Sequence, residues 1–293
     1  MEHINDIVKN KVLDSDLIDG KVLDSDDVAS LYDKNIKYYE QFIGDTPEFD
    51  LLRLYFGEDY VVNERITIHQ PTIQDIIDIG EKNFYSTIAP FTTNPTAFRV
   101  QLWDLGINWN DISDFELFAL LIKTVSMNNT KIFFGDIDFS SFDLVAVSKE
   151  TDDGIKQIPI LYSQKHDMEI DEETFLKIRK YLCYMFSVKL EDEFIRDKGT
   201  QKEVIAKNRA DNVKRLAEQK SSNLAEMISF AVNHPGFKYK KNELREVCYI
   251  EFIDSIKRLQ IYESTRALMQ GNYSGFCDTS KVPEELFNFM RKC

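Results

Sequence analysis

QPTIQDIIDIGEKNFYSTIAPFTTNPTAFRVQLWDLGINWNDISDFELFALLIK, residues 70–123, has the densest apolar and aromatic content of the chain and its clearest local start and stop signals. It reads as three helices joined by tight turns. Thr72, after Pro71, is an N-cap candidate with Asp75 three residues on, and Ile73, Ile76, Ile77, Phe84 and Ile88 recur at helical spacing until Pro90. Asn94-Pro95 opens a second helix carrying Phe98, Val100, Leu102 and Trp103 and ending near Gly106. Ser113 with Glu116 forms a capping box ahead of Phe115, Leu117, Phe118, Leu120, Leu121 and Ile122.

Upstream, KVLDSD occurs twice, at residues 11–16 and 21–26. A ten-residue period matches no solenoid class. The paired Asp-Ser-Asp steps lack the central Gly and terminal Glu of an EF-hand loop, so a duplicated helix N-cap or a recruitment arm is the better reading. Val28, Leu31, Ile36 and Tyr39 suggest a helix towards Phe42. Residues 51–56, the turn signal Gly57-Glu58-Asp59 and residues 60–68 together predict a β-hairpin. His69, before a proline and with no second His or Cys near it, reads as a turn or packing residue; His3, His166 and His234 are equally isolated.

Downstream, residues 131–134 (KIFF) and 142–147 (FDLVAV) predict strands, and residues 155–162 a third, with Pro159 confining it to an edge or a strand end. Asp171, Glu172 and Glu173 fall in the first turn of a helix, where the macrodipole favours acids, and Phe175, Ile178, Leu182, Met185 and Phe186 keep helical spacing behind them. Residues 197–222 have few large apolar side chains and read as a solvated linker helix or hinge. As a nucleic-acid strip they would need interleaved aromatics, which they lack. A second helical unit follows: Leu224 to Val232, a stop at His234-Pro235-Gly236, a long amphipathic helix from Leu244 towards Met269, and a short terminal helix opened by Pro283.

The expected fold class is α+β, mainly α-helical with a small antiparallel sheet. It divides into an N-terminal arm and helix (1–50), an α+β core unit (51–191), a polar connector (192–222) and a C-terminal helical unit (223–293).

With 43% hydrophobic and 29% charged residues the chain belongs to the globular class. Its net charge of −14 argues against a nucleic-acid coat, which needs clustered Lys and Arg, and favours solubility or a basic protein partner. No secretory signal opens the sequence, and no apolar run approaches the roughly 20 residues of a membrane helix, so a soluble, intracellular protein without a membrane partner is expected. The cysteines at 183, 248, 277 and 293 are scattered without a CxxC pair, which suggests free thiols; Cys183 and Cys248 sit among apolar neighbours as small core residues.

Gly135-Asp136-Ile137-Asp138 is the sharpest catalytic suggestion, because two carboxylates at a strand end can share a divalent metal. The Gly-Ser pair that such sites use upstream is replaced by Ser126-Met127-Asn128-Asn129, and a polar turn explains the aspartates without metal. Phosphate-loop, dinucleotide, zinc-protease and serine-hydrolase signatures are missing from the sequence. No catalytic residue, metal or cofactor is therefore assigned. Trp103, Trp109, Phe115 and Phe118 form an aromatic cluster that reads either as an interaction surface or as the plug of the core between the central helices.

Five segments carry a resemblance to proteins of tailed bacteriophages of Gram-positive bacteria: residues 66–86, 94–118, 133–142 (FFGDIDFSSF), 234–239 (HPGFKY) and 273–278 (YSGFCD). Some of these proteins resemble tail assembly chaperones, which keep the long helical tape-measure protein soluble while the tail tube polymerises around it. The resemblance implies a non-enzymatic tail-module protein in the host cytoplasm, with phage tail proteins as partners. Exposed members of the set around Trp103, Trp109 and Phe276 are its expected contact residues. A head-tail connector or baseplate subunit would share these properties, and a metal-dependent phosphotransferase or nuclease using Asp136 and Asp138 is the reading from a different class.

Overall fold

The computed structural model describes residues 17–18, 21–22, 49–151, 154–218, 222–274 and 282–291. Ten α-helices and three small antiparallel sheets are found among them, an α+β fold dominated by helix. Two compact units share the chain, each assembled from three separated segments: Met1–Asp50, Ile88–Val125 and Asp138–Ala217 in the first, Leu51–Thr87, Ser126–Ile137 and Glu218–Cys293 in the second. The helix expected towards Phe42 and most of the KVLDSD repeat lie outside the described residues. Of the repeat, only β2 (Lys21–Val22) is seen, paired with β1 (Leu17–Ile18).

Leu51–Tyr55 is a helix, α1, not the first strand of a hairpin. Gly57, at φ 72°, closes it: the Gly57 N–H donates to the Leu54 carbonyl and the Glu58 N–H to the Arg53 carbonyl. That pair of bonds around a left-handed glycine is a helix stop, so the glycine read as a hairpin turn ends a helix. The hairpin itself is smaller, β3 (Tyr60–Val61) against β4 (Thr67–Ile68), and Asn63 closes its loop by accepting the Arg65 and Ile66 N–H groups on Oδ1.

Helices α2 (Ile73–Ile79) and α3 (Glu81–Ile88) divide the first expected helix at Gly80, whose φ of 84° breaks the run. Thr72 is the N-cap expected of it, and Asp75 completes a capping box with it. Along the first unit's next segment come a 3₁₀ turn at Ala89–Phe91, α4 (Arg99–Asp104) and α5 (Asp114–Ile122), the last opened by the Ser113–Glu116 capping box.

Another predicted strand, KIFF, is also helix: α6 (Met127–Phe134). Its buried residues, Thr130, Phe133 and Phe134, fall at helical spacing, and Gly135 at φ 61° ends it. The His69 N–H donates to the Phe133 carbonyl at 2.7 Å, satisfying one of the groups left without a partner in the last turn.

In the first unit, β5 (Asp143–Thr151), β6 (Gly154–Ser163) and β7 (Met168–Ile170) form an antiparallel sheet in the order β5-β6-β7. Pro159 thus sits in the middle strand, opposite Ala146. Strand β7 pairs only with Leu161, Tyr162 and Ser163, so at Pro159 the strand is locally an edge, as a residue without an N–H requires. Helix α7 (Glu172–Met185) is capped by Asp171, and its buried face carries Phe175, Ile178, Tyr181, Leu182 and Met185. Phe175 stacks on Phe118 with centroids 4.5 Å apart, and Phe91 meets Phe118 and Phe139 at 5.2 and 5.3 Å. The chain then forms α8 (Lys198–Glu218), the helical form of the polar connector.

The remaining helices of the second unit are α9 (Asn223–Asn233) and α10 (Tyr249–Ser274), with 3₁₀ turns at Glu243–Glu246 and Glu284–Phe287. The starts of α2 and α10 are tied by backbone bonds, Ile73 N–H to the Val247 carbonyl at 3.0 Å and Tyr249 N–H to the Pro71 carbonyl at 2.8 Å. Phe84 packs against Phe133 and Tyr249 within this unit's core.

Candidate interaction surface

Of the three expected contact residues, Trp109 is 2% exposed and therefore not available at the surface. It lies in a cluster with Leu102, Leu117, Ile195 and Ile205, and Trp103 packs against that cluster partly buried. Phe115 and Phe118 are buried as well, so these aromatics plug the core of the first unit. Phe276 lies outside the described residues.

What holds Trp109 is a strap of irregular chain, residues 191–197, whose backbone polar groups are met by side chains. Asn94 Nδ2 donates to the Glu191 carbonyl at 2.9 Å and to the Asp192 carboxylate at 2.7 Å. The Glu193 N–H donates to Thr96 Oγ1, and the Glu193 carbonyl accepts a long bond from Trp109 Nε1 at 3.4 Å. Asn110 Nδ2 and Gln201 Nε2 converge on the Ile195 carbonyl at 2.8 and 2.7 Å. Ile195 and, one helix on, Ile205 are thereby pressed against Trp109. Each backbone bond removes a desolvation penalty that an irregular segment would otherwise carry.

The two aspartates of GDID have separate structural duties. Asp136, strongly exposed, pairs with Lys131 at 3.1 Å. Asp138 accepts from Lys165 Nζ at 2.7 Å, and from Ser140 Oγ at 2.6 Å and Ser140 N–H at 3.2 Å. Its own N–H donates to His166 Nε2 at 3.0 Å. Lys165 first, and then Ser140, hold the Asp138 carboxyl below the usual carboxylate range. No group of three or more His, Cys, Asp or Glu residues that could hold a metal ion occurs among the described residues. The motif sits after a helix, not at a strand end as expected, because Gly135 is the stop of α6. The histidines likewise have local partners: His69 Nδ1 lies 2.7 Å from Asp59 Oδ2, and His234 Nδ1 accepts the Gly236 N–H.

Other exposed aromatics are scattered, among them Phe56, Tyr162, Tyr184 and Phe230, and one group lies in the second unit, along the C-terminal half of α10 and the terminal segment beside it. Tyr262, Met269 and Tyr273 recur at seven and four residues, which places them on one helical face. Tyr273 is 86% exposed, and the Tyr262 ring meets Phe289 at 5.6 Å. Met290, beside Phe289 in sequence, is 85% exposed. Arginines pin this terminal segment to the helix. Arg291 Nη1 donates to Thr265 Oγ1 at 2.6 Å and to the Leu286 carbonyl at 2.7 Å, and Arg291 Nη2 donates to Ser264 Oγ at 2.8 Å. Arg258 Nη1 returns a bond to the Arg291 carbonyl at 2.9 Å. These bonds fix Phe289 and Met290 beside α10, which lowers the entropy lost when something docks on them. Sequence periodicity identified α10 as amphipathic, but the Arg291 clasp has no local sequence signature. Its partners lie about 30 positions upstream.

No family model, curated protein or solved structure matches the chain. No helix among the described residues is long and apolar enough to cross a membrane.

Proposed function

We propose that this chain is a non-enzymatic tail-module protein of a tailed bacteriophage, an assembly chaperone that holds the tape-measure protein in the host cytoplasm. The observation that supports this reading is the exposed apolar set of Tyr262 and Tyr273 on α10 and of Phe289 and Met290 on the terminal segment that Arg291 and Arg258 clasp to that helix. A long helical client offers stripes of apolar side chains at three- and four-residue spacing, and such stripes dock on apolar helical surfaces. Aromatic side chains contribute large contact area for few rotatable bonds. The net charge of −14 would keep a complex with an aggregation-prone client dissolved.

The test is quantitative mass spectrometry of purified particles beside infected-cell lysate, with this chain's peptides measured against the tail-tube protein. Abundance in lysate and loss from particles is the expected result, together with capture of the tape-measure protein that Tyr273→Ala/Met290→Ala weakens. Co-purification at a fixed ratio to the tube protein would overturn the chaperone assignment and make the chain a virion component.

A further inference from the structure

Strand β5 is the long open edge of the first unit's sheet. It runs from Asp143 to Thr151, pairs on one side with β6, and has no strand on the other among the described residues. Leu144, Val145 and Val147 are all exposed. Neighbouring positions on a strand point to opposite faces, so Leu144 and Val145 show that β5 stands clear of cover on both. On the face shared by Tyr162, the cross-strand pairs Val145–Ile160 and Val147–Ile158 make a β-branched ladder. An apolar edge of this length is a template for another strand.

Pro159 fixes which groups that edge offers. It has no N–H to give, so the Ala146–Pro159 pair belongs to the set that exchanges no hydrogen bonds, and the N–H and C=O of Ala146 point away from β6. By the two-residue period, Leu144 and Ser148 present their backbone groups outward in the same way.

We propose that two copies of this chain pair through β5, antiparallel and about a two-fold axis at Ala146. This register matches the outward backbone groups, Ala146 to Ala146 and Leu144 to Ser148. Between them it sets Val145 against Val147, and position 143 against position 149, an aspartate against a lysine, twice. Shifting by two residues either way loses the opposite-charge match: a centre at Val147 sets Val145 against the lysine and Leu144 against Glu150, and a centre at Val145 pairs Asp143 with Val147. Each copy carries a net charge of −14, which opposes unspecific association, so the local match selects this edge. The result is an isologous, six-stranded sheet.

The experiment is light scattering and sedimentation of the full chain over a concentration series, with thermal unfolding to check that each variant folds. Wild type should approach twice 34.2 kDa as concentration rises. Ala146→Pro removes an outward donor while sparing the bonds to β6, and should abolish dimerisation. Lys149→Asp and Asp143→Lys should each weaken the dimer about tenfold through two like-charge contacts, and the double swap should recover it. Asp143 also pairs with Lys123 of its own chain. That loss is common to the single Asp143 variant and the double, so recovery reports the contact between copies. A wild type that stays monomeric at the highest concentration, a dimer indifferent to Ala146→Pro, or a double swap no better than the singles would each overturn the proposal.

Discussion

Glu81 caps a helix that begins 142 positions after it. Its Oε1 accepts the backbone N–H of Leu224 at 3.0 Å and of Asn223 at 3.1 Å, while Oε2 takes the Ser222 hydroxyl. One carboxylate thus neutralises the open N-terminus of α9 while standing at the start of α3. Glu81→Ala should cost about 1–2 kcal/mol in urea unfolding, the range for losing a helix cap. Glu81→Gln, which keeps an acceptor but no charge, should cost less. An unchanged midpoint for the alanine variant would contradict the cap.

Arg179 and Asp114 form a nearly buried ion pair, with side chains 9% and 11% exposed, and Arg179 also lies 5.6 Å over the Phe175 ring. Removing either partner alone leaves a charge with little water, so Arg179→Met or Asp114→Leu should each destabilise by about 3–5 kcal/mol. Removing both should cost much less than the sum. A double-mutant cycle that comes out additive would show that the pair is not coupled.

Trp109 and Trp103 are the chain's two tryptophans, and they differ in burial. Trp103→Phe should leave a blue-shifted emission from the buried indole, whereas Trp109→Phe should leave the redder emission of the partly buried one. Trp109→Ala should lose about 3–5 kcal/mol, because the strap and Ile205 cannot close over the cavity.

Burial pushes the Cys183 thiol up from 9.0 to about 11, with Arg179 opposing only in part, and burial followed by Glu251 also raises Cys248. Tyr249 is raised in the same direction by burial and by Tyr85 beside it. In each case the unfolded chain releases its proton at a lower pH than the native one. The contribution of the Cys183 thiol to stability is therefore whole below pH 9.0 and should be lost as pH rises towards about 11. In a Cys277→Ser/Cys293→Ser background, Cys183 and Cys248 should react slowly with a disulfide reagent at pH 8 and rapidly in urea. Fast native labelling would contradict the burial.

The legible parts of this fold are the local ones. Thr72 with Asp75 and Ser113 with Glu116 announce two helix starts within four residues each, and both capping boxes form. Leu51–Tyr55 and the KIFF segment misled because four or five apolar-rich residues fit a strand as readily as a helix. The deciding signals were Gly57 and Gly135, positive-φ residues that serve helix stops as well as turns. The strap and the clasp on α10 rest on Asn94, Asn110, Gln201 and Arg291, polar residues that look like ordinary surface until distant carbonyls are brought to them.

Pro159 gives the sheet a direction of growth. Strand β7 offers only three residues to a further strand, and in line with it the uncovered side of β6 meets Pro159, which has nothing to donate, whereas β5 runs nine residues with no strand beyond it among the described residues. Two chains joined through β5 have therefore spent their long edges on each other, and the assembly terminates at a closed pair. A chain with two long edges would polymerise into fibres as its concentration climbed; one with a single long edge would stop at the pair.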